Sequence, residues 1–196
     1  MRTALGAART LALIAALGAV ATALISASTV LPLGFGQLVS GASVIFTGEV
    51  VRTEPHWVSV GEDRAIVTTV TFRVERLLKG EVGAEVSAEF LGGRVGDTAL
   101  TVAGALRLVV GDRGVVCLDT TRPLVSPIVG LNQGWFPVRR QPGTGIEYVT
   151  TFDSVPLPSV DSIGQPPITV SAVPIRTMTR QDLELAILRE MRATQR

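Results

Sequence analysis

The sequence predicts a mainly β fold, a small closed or partly open antiparallel barrel with a short N-terminal helix and a C-terminal helix. Three observations carry that expectation. Between residues 44 and 152 apolar side chains recur at every second position in short segments, the period of a half-buried strand. Glycine, proline, asparagine and aspartate separate those segments at short intervals, as tight turns require. No helical pattern lies between successive strands, so parallel βαβ architecture is not expected. Closing the sheet would remove exposed strand edges.

In order along the chain, residues 1–28 read as an export signal. Arg2 and Arg9 precede an acid-free apolar run over residues 11–25, and small residues follow, the three parts of a secretory signal peptide. Cleavage is expected after Ala23, Ala27 or Ser28. An uncut membrane anchor is the alternative, but a spanning helix needs roughly 20 apolar residues and this run meets Ser26, Ser28 and Pro32. Residues 35–43 suggest a short helix with Phe35, Leu38, Val39 and Ala42 on one side.

A barrel domain is expected over residues 35–152. Residues 44–54 alternate as a strand, and so do residues 66–74, where Ile66, Thr68, Val70, Phe72 and Val74 share a face. A glycine-containing turn near Gly80 and Gly83 leads into residues 85–91, which suggests a hairpin. Gly92-Gly93 breaks the chain, residues 98–102 form a weak strand, and residues 113–119, 134–140 and 146–152 complete the β region. Residues 153–177 hold five of the eleven prolines and no charge between Asp161 and Arg176; proline lacks a ladder donor, so an extended arm or linker is expected, one that can lie along the barrel. A final helix over residues 178–194 is signalled by Thr179 and Asp182 as a capping pair, with Met178 and Leu183 as a hydrophobic staple.

Composition excludes several classes of function. The whole chain carries 18 basic and 17 acidic residues. Removing residues 1–28 takes away Arg2 and Arg9 and no acids, leaving 16 against 17. Without a basic excess the attraction that dominates nucleic-acid affinity is missing, so no nucleic acid is expected as a partner. The single cysteine, Cys117, permits no internal disulfide and no lipid anchor at the new N-terminus, and it reads as a small buried hydrophobe.

The search for reactive chemistry yields no constellation. His56 is the only histidine and sits in an expected loop; no Gly-x-Ser-x-Gly elbow accompanies it. Lys79, the only lysine, reads as a solvated strand end rather than a catalytic base. One cysteine and one histidine do not make a zinc site, and the aspartates are scattered singly without a calcium loop. Neither cofactor nor metal is expected. Glu85 and Glu89, or any other pair of carboxylates that the fold assembles, are the kind from which a glycoside hydrolase is built, although nothing singles them out. As surface candidates for partner binding there remain His56 with Trp57, and Trp135 with Phe136. Trp135 reads first as core, whereas Trp57 fits either role.

The run Val44-Ile45-Phe46-Thr47-Gly48-Glu49-Val50, the strand closing on Leu78-Lys79-Gly80, Gly111-Asp112-Arg113 before a strand, and Gly130-Leu131-x-Gln133-Gly134-x-Phe136 together resemble uncharacterised exported bacterial proteins. Those have a predicted barrel similar to the OB-type fold of netrin and tissue-inhibitor-of-metalloproteinase modules. The resemblance spans about residues 35–140 and implies an OB-like barrel with no catalytic residues. The N-terminal cysteine by which such inhibitors reach a protease metal has no counterpart in this chain.

The function expected is that of an exported, non-enzymatic binding module, secreted or held in the cell envelope, that recognises a protein or envelope component through barrel loops. The alternatives are a hydrolase with a carboxylate-based site and a structural envelope protein. No stable membrane span is expected once the leader is removed.

Overall fold

A computed structural model describes residues 31–121, 125–165 and 177–194, and its described part falls in one compact unit, Leu31–Arg196. The expected leader, and residues 166–176 of the proline-rich arm, lie outside the described residues. Helix α1 (Phe35–Gly41) starts as expected. Gly34 has no side chain to cap it, so the Gln37 side chain accepts the Gly34 N–H at 2.9 Å instead. The chain then forms β1 (Val44–Val60), β2 (Asp63–Lys79), β3 (Glu85–Leu91), β4 (Gly93–Val95), β5 (Thr98–Leu100), β6 (Arg113–Leu118), β7 (Trp135–Arg140) and β8 (Glu147–Val149). A short 3-10 turn (Val160–Ser162) and helix α2 (Arg180–Thr194) follow.

Six strands make one antiparallel sheet in the order β3-β2-β1-β6-β7-β8, while β4 and β5 pair separately. The sheet curls without closing into a barrel. Its two ends are β3 and β8, and the place a closing strand would take beside β8 is filled by other chain. Val149 N–H donates to Met178 O at 3.1 Å, Leu157 N–H donates to Val149 O at 3.2 Å, and Tyr148 bridges Thr179. These contacts satisfy the β8 edge locally, which removes the drive to pair it with β3.

Alternation along β1 explains why its first half is buried on both sides. Val44, Phe46 and Val50 point into the curl with Val70, Phe72, Phe90, Val116, Leu118 and Trp135. Ile45 points the other way, into a second core with Val115, Cys117, Phe136, Val149 and the helices' Leu38, Leu183 and Ile187. The sheet is thus a partition between an enclosed core and a helix-covered one. Within the enclosed core the Phe46 and Phe72 rings meet edge to face, centroids 5.5 Å apart. Gly114 makes room for Trp135 beside Phe72: a Cβ there would lie 2.6 Å from the Trp135 ring.

Several expectations need correction. His56 and Trp57 lie inside β1, not in a loop, because the two-residue period continues past Pro55 to Val60. Proline is tolerated there since, among the described residues, β1 has no strand neighbour but β2 beyond Glu49. The break at Gly92-Gly93 is in part strand β4. Lys79 is not a solvated strand end: its Nζ donates to Val39 O at 2.7 Å and Ser40 O at 3.3 Å, capping the last carbonyls of α1. The described part of the expected arm, residues 153–165, lies against the fold, with Leu157 and Ile163 buried in the helix-covered core.

Candidate binding surfaces

The far half of the β1–β2 ribbon carries two of the sequence candidates, on opposite faces. Neighbours in a strand point to opposite sides, so His56 and Trp57 do not share a surface. His56 lies beside Glu89 of β3, with 3.7 Å between Nε2 and the carboxylate, and its Nδ1 is 3.2 Å from Glu54 O. Trp57 is opposite Ile66 in register, which places it on the face shared by Pro55, Ile66 and Thr68. It is 37 % exposed, and the Arg64 guanidinium stacks 4.8 Å from its ring centroid.

The same alternation separates the other pair. Trp135 enters the enclosed core and Phe136 the helix-covered one, 4 % and 2 % exposed. Neither presents a surface to a partner.

On the Trp57 face the β4–β5 hairpin folds back over the ribbon. Gly93 makes this possible: its φ is +141°, and a Cβ would lie 2.5 Å from Thr68 Oγ1. Thr68 Oγ1 donates to Gly92 O at 2.7 Å and pins the fold-back. Between this hairpin, strands β2 and β3, and residues 101–109 there is a cleft of about 270 Å³. Val70, Phe90 and Leu108 are among its lining residues, and among the described residues its ionisable lining is Arg94 and Arg107. Arg107 Nη2 donates to Thr101 Oγ1 at 3.2 Å.

Across the molecule a chain of ion pairs fastens α2 to the sheet. Glu184, fully buried on α2, accepts from Thr47 Oγ1 at 2.7 Å, from Arg76 at 2.8 Å and from Arg180 at 2.5 Å. Arg180 also donates to Glu147 at 2.6 Å, Glu147 pairs with Arg113, and Arg113 donates to Glu75 through two nitrogens, each at 2.6 Å. Burial acts to raise the Glu147 carboxyl, but Arg113 and Arg180 outweigh it and hold the pKa at about 2, from an ordinary 4.5. The hydrogen bond to Glu75 raises Arg113 further above its already high value, against burial. Burial likewise acts to lower Arg180, and Glu147 with Glu184 overcomes it. Glu147, held between Arg113 and Arg180, neither gives nor takes a proton near neutrality, and the cluster acts as a clamp between α2 and the sheet. Sequence reasoning missed Glu184, although its place three residues before Ile187 and four before Leu188, within the apolar stripe, was the available signal.

Cys117 is buried and its thiol is pushed up to about 12 by loss of solvation, which makes it an unreactive core residue. Glu85 and Glu89 stand four residues apart on β3, ~13 Å along an extended strand, beyond the ~5–9.5 Å a glycosidase pair needs. Among the described residues no carboxylate lines the cleft. Among the described residues no cluster of metal ligands occurs, and no helix is long and apolar enough to cross a membrane. No protein-family profile, curated protein or solved structure matches this chain.

Proposed function

We propose that this protein is an exported, non-enzymatic binding module that recognises a protein or envelope component through the Trp57 face of its β1–β2 ribbon. The observation that carries the reading is the half-open tryptophan at 37 % exposure, stacked on Arg64 and set where, among the described residues, β1 has no strand neighbour but β2. A rigid aromatic with a stacked arginine combines two residue types that dominate binding interfaces. The charged and proline residues nearby, Arg52, Glu54 and Pro55, discourage indiscriminate edge pairing and leave recognition to side chains.

We read the curled sheet through β7 as a partly open OB-like barrel, to which β8 is an addition. Support comes from the enclosed aromatic core and from Leu91 N–H, which reaches from the β3 edge to Val125 O at 3.1 Å. Export rests on residues 1–28.

The test is co-purification from the native cell's envelope and medium with wild type, Trp57→Ala and His56→Ala. We expect Trp57→Ala to lose the co-purifying component at least about ten-fold, as removal of an interface tryptophan does, and His56→Ala, on the opposite face, to keep it. Equal capture by folded Trp57→Ala would overturn the assignment. Intact mass of the same preparation is expected to show an N-terminus between residues 24 and 29.

A further inference from the structure

We infer that the cleft beneath the β4–β5 hairpin binds a small amphipathic anion, a carboxylate with a short apolar tail. This goes beyond partner recognition by Trp57 and does not depend on it. Three observations converge. Val70, Phe90 and Leu108 of the enclosed core line the cleft together with Leu91, Val102 and Leu106, so a hydrocarbon tail entering it exchanges water for side-chain contact. Among the described residues both ionisable residues of the lining are arginines, and no carboxylate among the lining opposes them. Arginine offers the planar fork that matches a carboxylate.

Volume sets the size of the tail. At about 270 Å³ the cleft lies just below the ~300 Å³ at which drug-sized sites begin, so it suits a short chain rather than a long-chain fatty acid. The hairpin that walls the cleft is fixed in place. Gly93 has no room for a side chain, and Thr68 fixes Gly92 from below. Arg107 is steered by its bond to Thr101, which leaves its remaining donors for a ligand.

Sodium octanoate is the probe. Titration into the protein at pH 7, followed by methyl NMR of Val70, Leu106 and Leu108, is expected to give saturable shifts confined to the cleft. Octylammonium, with the same tail and opposite charge, should bind at least about ten-fold more weakly, and so should octanoate to an Arg94→Gln/Arg107→Gln variant. Acetate, with the head but no tail, should not saturate over the same range. Both arginines are exposed, so the variant is expected to fold, which far-ultraviolet circular dichroism checks. Ala105→Phe supplies a second route by filling the cleft, and should abolish the shifts. No saturable shift with octanoate, equal binding of octylammonium, or undiminished binding by either folded variant would overturn the inference.

Discussion

At the scale of single residues, the position that matters most to stability is Glu184. A carboxylate with no exposed surface is costly unless its partners remain, and here Thr47, Arg76 and Arg180 share that task. Arg180 serves Glu184 and Glu147 at once. We expect Arg180→Met to destabilise the protein by about 3 kcal/mol or more, whereas Arg140→Met should cost at most about 1 kcal/mol. Arg140 also touches Glu147, at 3.4 Å, but is 72 % exposed, so water replaces it readily. Denaturant unfolding of the two variants checks the contrast, and equal losses would count against the clamp. Lys79 is a second instance in which contact outruns sequence. Its composition as the only lysine says nothing, and its role becomes visible once β2 brings it under the end of α1.

Among the elements, α2 was the most legible. Thr179 Oγ1 donates to Asp182 at 2.7 Å and accepts the Asp182 N–H at 3.1 Å, while the Thr179 N–H reaches the same carboxylate at 3.2 Å. That is the capping box the sequence spelled, and Met178 and Leu183 both join the helix-covered core as a staple would. Thr179→Ala should therefore cost about 1 kcal/mol, measurable as a lower unfolding midpoint without a change in slope; no loss would show that α2 is held by the clamp alone. The β2–β3 hairpin was equally readable, since the pairing of Val70 with Ala88 and Phe72 with Val86 matches two alternations in phase. Illegible from sequence were the length of β1 and the existence of β4. Pro55 reads as a stop but is only an edge residue, and Gly92-Gly93 reads as a break although it is the bend that lets a short hairpin lie on the ribbon.

For the molecule as a whole, the clamp ties stability to acid. The folded-state pKa of Glu147, about 2, is below its ordinary 4.5, so its contribution is complete above about pH 4.5 and disappears as the pH falls toward 2. We expect the melting temperature to fall through that window, and to fall less in Glu147→Gln, which starts lower and has less to lose. Parallel curves for the two proteins would show that other carboxylates govern acid unfolding.

What the chain order determined by itself was local: which segments alternate, where most turns fall and where α2 is capped. The tertiary structure decided which side of each strand meets which core. Trp57 and Trp135, alike in sequence as aromatics in polar company, part company there, one half-open over Arg64 and the other shut against Phe72. It also decided that the sheet stays open, because segments distant in the chain satisfy the β8 edge. Alternation is written in neighbouring residues, whereas an ion pair such as Arg76 with Glu184 joins residues 108 positions apart and the cleft joins residues from 68 to 109, and no local pattern encodes those meetings.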